Sequence, residues 1–148
     1  MPDTKPTLLI VDDEPSIRTS LSLVLAEIGY SVRTAQDGFS ALAEMRIELP
    51  DVLLSDLNMP GMSGFELLSV VKHRFPAMLT IAMSGAFQGN EVPSGVLADG
   101  FYQKGSSMGS LLMILSSLHH AGPAPAQFPE KIRTAESPRS SRPPQLNC

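Results

Sequence analysis

The sequence is poor in cysteine and has no excess of basic residues. Its one cysteine is Cys148, so the chain has neither an intrachain disulfide nor a cysteine cluster that could hold a metal. The net charge is −4 at pH 7. This charge argues against a nucleic-acid-binding protein, because such proteins need a basic face to displace counterions from the phosphates.

Long apolar segments are also missing. No apolar run approaches the ~20 residues that a membrane-spanning helix needs. The first residues, 1–6, include a lysine but no apolar segment of the kind found in secretory signals. Together with the shortage of cysteine, these absences predict a cytoplasmic protein that has no membrane partner.

The composition that remains is sufficient for one folded domain. Apolar residues make up 43% of the chain and charged residues 18%, which is ordinary for a globular protein of this length. The composition changes near residue 120, since residues 121–148 contain six prolines, several serines and no helical or strand period. We predict one domain over residues 1–120 and a disordered, Pro/Ser-rich tail over residues 121–148, with no second domain.

Apolar runs and helical stripes alternate along this domain. The predicted strands are residues 7–11, 30–35, 52–55, 78–83 and 101–103. The apolar positions that predict four of the helices are Ile17, Leu21, Val24, Leu25 and Ile28; Leu42, Met45 and Leu49; Phe65, Leu68 and Val71; and Leu111, Ile114, Leu115 and Leu118.

Helix boundaries and one weak helix are also predicted. Pro15 opens the first helix, where its missing N–H is harmless. Gly29 is expected just past the end of this helix, and Asp37 is expected to cap the second. Between the fourth and fifth strands, glycines and a proline leave room for only a short helix, which would begin near residue 91 or 94 and end at Ala98.

Polar residues follow four of the five strands. Strands separated by single helices predict a parallel α/β sheet covered by helices on both faces. All the strands of such a sheet point their carboxyl ends to one edge, where α/β proteins place their ligands. The polar residues at these strand ends are Asp12, Asp13, Asp56, Ser84 and Lys104.

A convergence of these side chains favours phosphoryl chemistry. Carboxylates that lie close together raise one another's pKa unless a cation is near, and Mg²⁺ prefers such oxygen ligands. Lys104 adds a positive charge and Ser84 adds a hydroxyl donor, which together suit a phosphoryl group on Asp56. Any one of these residues alone is more typical of a cap, a turn or a solvated charge, but five at matching strand ends favour a site.

The ordered motifs resemble those of a known family. Residues 8–14 (LLIVDDE), residues 56–68 (DLNMPGMSGFELL), Ser84 and Lys104 resemble the receiver domain of two-component response regulators over about residues 7–120. The resemblance implies a flavodoxin-like, doubly wound, five-stranded parallel sheet in the order 2-1-3-4-5 with helices on both faces.

The resemblance also implies roles for individual residues. Asp56 would accept a phosphoryl group from a sensor histidine kinase or a histidine phosphotransfer protein. Mg²⁺ would be held by Asp12, Asp13, Asp56 and the backbone carbonyl of Asn58, with Asp12 acting largely through water. Lys104 would pair with the phosphoryl group.

Two further residues would make the domain a switch. Ser84 would move toward the phosphoryl group, and Phe101 would swing inward with it, so that the binding of an unknown downstream protein changes. The sequence departs from the family at Gly105, where proline is usual. A glycine predicts a softer loop and a trans peptide bond there.

Three functions remain in competition on the sequence alone. The leading one is a stand-alone receiver that works as a phospho-acceptor rather than as an enzyme. The second is a receiver-like binding module that works without phosphorylation, an alternative that Gly105 and the short fourth helix keep open. The third is a Mg²⁺-dependent phosphatase of the haloacid-dehalogenase type, against which the sequence lacks any Asp-x-Asp arrangement.

Overall fold

The structure of the protein is a computed structural model that describes residues 5–85 and 95–121. Strands and helices alternate through these ranges. In chain order the elements are β1 (Thr7–Val11), α1 (Pro15–Glu27), β2 (Ser31–Ala35), α2 (Gly38–Ile47), β3 (Val52–Asp56), α3 (Gly64–Arg74), β4 (Leu79–Ser84), β5 (Gly100–Gln103) and α4 (Met108–Ala121).

The five strands form one parallel sheet in the order β2-β1-β3-β4-β5. This arrangement confirms the predicted flavodoxin-like fold. The first strand therefore lies between the second and the third, and β3 and β4 lie inside the sheet. Every residue of β3 and β4 is buried, which explains their continuous apolar runs.

Alternation along the strands builds a core on each face of the sheet. Leu9 and Val11 of β1 point to the face that α2 and α3 cover, whereas Leu8 and Ile10 point to the face that α1 and α4 cover. The helix residues that complete the first core are Ala41, Met45, Leu67, Leu68 and Val71. Those that complete the second are Leu21, Leu25, Leu111 and Leu115.

Local signals set the helix ends as the sequence predicts. Pro15 is the first residue of α1, and Gly29 follows that helix with a φ of 117°, a conformation that glycine adopts easily. The side chain of Asp37 caps α2 by accepting a hydrogen bond from the Ser40 amide. A further signal, not among those predicted, is the reciprocal capping box that Ser63 and Glu66 form at the start of α3.

The prediction of a short helix ending at Ala98 is wrong for the part that the structure describes. Residues 95–98 form a turn and irregular chain, and Gly95 has a φ of 86°, which a helix does not accommodate. The other residues of that prediction lie outside the described ranges, as do the predicted tail after residue 121 and residues 1–4.

Two smaller boundaries also differ from prediction. The second helix ends at Ile47, so Leu49 lies beyond it and is exposed rather than in the helix stripe. Tyr30 is buried but precedes β2 instead of beginning it. Among the described residues, no helix is both long enough and apolar enough to cross a membrane.

Candidate functional site

The carboxyl edge of the sheet brings Asp56 and Lys104 into contact. Asp56 is the last residue of β3, and Lys104 follows directly after β5. The Lys104 ammonium nitrogen lies 3.2 Å from Oδ2 of Asp56. The Asp56 carboxylate is almost completely buried, so the ion pair lies in a recess of the protein surface.

Asp12 completes the inner part of this recess. It follows β1, is completely buried, and places its Oδ2 2.9 Å from Nζ of Lys104. Its other oxygen, Oδ1, accepts a hydrogen bond of 2.9 Å from the Glu14 amide. Oδ2 has this close ion pair with Lys104 and no further hydrogen bond from the described residues.

Asp13 stands at the outer side of the same cluster. Asp12, Asp13 and Asp56 can each offer one oxygen, and these three oxygens lie within 4.8 Å of one another. Asp13 is exposed, while the other two are buried. Three clustered carboxylate oxygens are the kind of ligand set that fits a hard divalent cation such as Mg²⁺.

Asn58 and Ser84 form the next layer around Asp56. The Asn58 amide donates a hydrogen bond of 3.3 Å to Oδ1 of Asp56. The Asn58 side chain donates a second one, also of 3.3 Å, to Oγ of Ser84. Ser84 is completely buried at the end of β4, so Asn58 connects the carboxylate to the neighbouring strand.

Phe101 lies inside the protein rather than at its surface. It is 1% exposed and belongs to the core between the sheet and the helices α2 and α3. Its partner in the β4–β5 register is Ala82, and the next pairs are Met83 with Tyr102 and Ser84 with Gln103. The two residues predicted to form the switch therefore come from adjacent strands.

Burial and charge act in opposite directions on this site. Burial raises the pKa of Asp56, and the Asp12 carboxylate raises it further; Lys104 and the Asn58 amide oppose both effects without cancelling them. Burial lowers the pKa of Lys104, but contacts with Asp12 and Asp56 outweigh burial and raise it above its ordinary value. Lys104 is therefore charged at neutral pH, and a negative charge on Asp56 is poorly compensated.

Comparison with known proteins identifies the family. The family model described as the response regulator receiver domain matches residues 8–112, which run from the second residue of β1 through the first turn of α4. The chain belongs to the response regulator receiver domain family.

Solved receiver structures have the same fold. The structure of the chemotaxis response regulator CheY4 of Vibrio cholerae is 33% identical, with a TM-score of 0.71, over 78% of this chain and 99% of that one. The response regulator TrrA of Thermotoga maritima, solved in complex with Mg²⁺ and BeF, is 29% identical, with a TM-score of 0.69, over 76% of this chain and 98% of that one.

Curated relatives match this receiver over only part of their length. The DNA-binding transcriptional regulator NtrC of Salmonella typhimurium is 44% identical over 75 residues, which are 51% of this chain and 16% of that protein. The sensor protein EvgS of Escherichia coli is 35% identical over 92 residues, which are 62% of this chain and 8% of that protein. The chain spans less than a fifth of these two relatives, which differ in their named functions.

Two residues at this candidate site are not among those predicted from the sequence. Glu14 contacts Lys104 through its Oε1, 3.3 Å from Nζ. Arg18 in α1 donates a hydrogen bond of 2.6 Å to the backbone carbonyl of Asp12. The position of Glu14 directly after two acidic residues is a sequence signal that could have placed it at the site. An arginine within a helix, such as Arg18, carries no comparable signal.

The loop after Asp56 is held against the strand by Gly64. A β-carbon on Gly64 would lie 2.0 Å from the Asp56 carbonyl oxygen and 2.6 Å from Cα of Leu57. The Gly64 amide donates a hydrogen bond of 3.0 Å to the Leu57 carbonyl. Only glycine permits this close approach, which fixes the start of α3 beside the site.

Proposed function

We propose that this receiver accepts a phosphoryl group on the Asp56 carboxylate and acts as a phosphorylation switch. The observation that carries the proposal is the placement of Lys104, whose ammonium group contacts both Asp56 and Asp12 in one recess. A fixed cation beside a buried carboxylate is what the charge of a transferred phosphoryl group requires. The sequence motifs and the family match support the same role.

The reaction needs Asp56 as its nucleophile. One carboxylate oxygen forms a bond to the phosphorus of a phosphohistidine while the phosphorus–nitrogen bond breaks. The imidazole nitrogen keeps the electron pair and takes up a proton. Lys104 already lies 3.2 Å from Oδ2 of Asp56, so it can pair with the phosphoryl oxygens without a large movement.

The acidic cluster would hold Mg²⁺. Asp12, Asp13 and Asp56 offer the carboxylate oxygens, and the backbone carbonyl of Asn58 is the fourth expected protein ligand. When bound, Mg²⁺ supplies positive charge that favours the ionised form of Asp56 and neutralises the phosphoryl oxygens. The buried Oδ2 of Asp12 contacts the Lys104 ammonium at 2.9 Å and has no further donor among the described residues, so it would keep a second lone pair for such a cation.

Ser84 and Phe101 are proposed to carry the signal away from the site. Ser84 is linked to Asp56 through Asn58, whose side chain donates a hydrogen bond to the Ser84 hydroxyl oxygen. The oxygens of a phosphoryl group on Asp56 would be charged acceptors to which this hydroxyl could itself donate. Ser84 on β4 pairs with Gln103 on β5, two residues after Phe101, so we propose that a shift of Ser84 would be passed to Phe101 along the β4–β5 pair. This coupling would bias two packing arrangements of the same surface.

The proposed partners are proteins. A sensor histidine kinase or a histidine phosphotransfer protein would donate the phosphoryl group, and a downstream protein would bind the switched surface. Asp56 is modified in this reaction rather than regenerated in each turnover, so the receiver acts as an acceptor and not as an enzyme. The cytoplasmic location expected from the sequence stays a prediction.

The test is the intact mass of the protein after incubation with acetyl phosphate and Mg²⁺. We expect one added phosphoryl mass that is lost when a chelator is present and absent from the Asp56→Asn variant. Because an acyl phosphate can hydrolyse quickly, beryllofluoride binding followed by NMR serves as a second readout. A wild-type protein that shows neither response contradicts the proposal and favours a binding module that works without phosphorylation.

A further inference from the structure

The lysine of the site is carried by a tight turn between β5 and α4. The Lys104 amide donates a hydrogen bond of 3.0 Å to the Ser84 carbonyl, and the Ser106 amide donates one of 3.0 Å to the Gln103 carbonyl. Between these two bonds, Gly105 has a φ of 93°. The ranges that the structure describes contain no cis peptide bond, which confirms the trans bond predicted at Gly105.

Gly105 gives this turn little stiffness of its own. A β-carbon added to Gly105 would meet nothing within 4 Å, so no neighbouring atom restrains the residue from that side. Glycine also has access to a wider range of backbone angles than any other residue. The path of the chain after Lys104 therefore depends on the hydrogen bonds that hold the turn.

Tyr102 supplies a fixed point for the turn. It belongs to β5, is 5% exposed, and packs in the core on the side of the sheet that α1 and α4 cover. Its hydroxyl donates a hydrogen bond of 2.9 Å to the backbone carbonyl of Ser106. The aromatic ring is held by the core, so this bond ties the far end of the turn to the body of the protein.

We propose that Tyr102 is a positioning residue for Lys104. Its hydroxyl holds the β5–α4 turn closed, and the closed turn keeps the Lys104 ammonium group in reach of both Asp12 and Asp56. The inference rests on the proposed phospho-acceptor function, because it assigns Tyr102 to the same reaction. A displacement of about 1 Å in such a group is enough to slow a reaction strongly.

A positioning role for Tyr102 can be separated from a purely structural one, because the ring packs in the core whereas the hydroxyl contacts the turn. Removal of the hydroxyl in Tyr102→Phe keeps the ring in the core but leaves the Ser106 carbonyl without this donor. The packing of β5 then stays the same, while the turn loses the hydrogen bond that connects it to the core. Tyr30→Phe is the matched control, because Tyr30 is a buried tyrosine of the same core that precedes β2, at the opposite edge of the sheet.

The first measurement is hydrogen exchange of the Ser106 amide by NMR in the metal-free protein. This amide closes the turn through its bond to Gln103. We expect Tyr102→Phe to speed its exchange about fivefold, which corresponds to the net contribution of one hydrogen bond, whereas Tyr30→Phe leaves it unchanged. Equal exchange in wild type and Tyr102→Phe overturns the proposal.

The second measurement is the rate of phosphorylation by acetyl phosphate with Mg²⁺, at a temperature where circular dichroism shows every variant folded. We expect Tyr102→Phe to slow the reaction about fivefold and Tyr30→Phe to leave it unchanged. In a Lys104→Ala background, Tyr102→Phe should cause no further slowing, because its effect passes through the lysine.

The possible failures can be told apart. If Tyr102→Phe slows the reaction equally with and without Lys104, the effect is general and the positioning role is wrong. If Tyr102→Phe reacts as fast as wild type, the role is also wrong, although the phospho-acceptor function stands. If wild type itself takes up no phosphoryl group, the proposed function fails, and with it the assignment of Tyr102 to that reaction.

Discussion

The Lys104 ammonium group lies 3.2 Å from the Asp56 carboxylate, yet the pKa of Asp56 remains above its ordinary value. Burial and the Asp12 carboxylate outweigh the single contact with the lysine. Lys104 also contacts Asp12 and Glu14, so its charge is shared among three acids. The metal-free site is therefore short of positive charge, and this shortage has measurable consequences.

Asp56→Asn should stabilise the metal-free protein. The substitution removes a buried negative charge beside Asp12 while keeping the shape of the side chain. We expect the free energy of unfolding to rise by about 0.5 to 2 kcal/mol at neutral pH, the range typical of single stabilising substitutions. Urea denaturation with a chelator present checks this, and a less stable variant would contradict it.

The stabilisation should depend on pH with a defined sign. Because the pKa of Asp56 is raised in the folded state, its protonated form contributes to the free energy of unfolding. This contribution is lost as the pH rises through the folded-state pKa. The difference between Asp56→Asn and wild type should therefore be small in acid and widen as the pH rises. Asp37→Asn is a control of opposite sign. Hydrogen bonds from the Ser40 amide and hydroxyl lower the pKa of Asp37, so the stability that Asp37 contributes is lost in acid, and the variant should fall below wild type as the pH rises.

Mg²⁺ should stabilise the wild-type protein against unfolding. A ligand that binds only the folded state adds about 2.7 kcal/mol at a free concentration 100 times its Kd. Asp13→Asn should weaken this effect, because Asp13 offers one of the three clustered oxygens. Thermal unfolding over a Mg²⁺ titration measures the effect, with Glu27→Gln, an exposed acid at the end of α1, as the control. An unchanged midpoint in wild type would argue against a metal site.

Gly64→Ala should destabilise the fold by about 3 kcal/mol or more. The added methyl group would lie 2.0 Å from the Asp56 carbonyl oxygen, and backbone atoms have little room to move away. Gly109→Ala is the matched control, because the methyl group would meet Ser107 at an ordinary 3.6 Å within α4. We expect Gly109→Ala to stabilise by about 0.5 to 1 kcal/mol, and urea denaturation distinguishes the two.

Glu14→Gln should speed phosphorylation by small anionic donors. Glu14 is 59% exposed at the opening of the site and contacts Lys104, so its charge repels an incoming acetyl phosphate. We expect about a two- to fivefold faster rate at low ionic strength and convergence with wild type at high salt. Glu27→Gln should show no such change. A slower Glu14→Gln variant would instead mean that Glu14 is needed to hold Lys104 in place.

Local patterns in the sequence determined most of the fold. Continuous apolar runs gave the buried strands β3 and β4, because a strand covered on both faces has no solvated side. Signals such as Pro15 and Asp37 set helix starts, because capping depends on neighbouring residues in the chain. The convergence of Asp12, Asp56 and Lys104 also followed from the sequence, since parallel strands share one carboxyl edge.

Only the tertiary structure decided which side chains support these residues. Glu14 and Arg18 join the site through contacts with Lys104 and the Asp12 carbonyl. Tyr102 donates a hydrogen bond to Ser106 in the turn after Lys104, where this sequence has Gly105 and the family usually has proline. Such contacts depend on side-chain length, on the rotamer and on the distance between elements. A local sequence pattern does not determine these properties. Hydrophobic periodicity reports which face of an element is buried, but the partner on the other side is set by the packed fold.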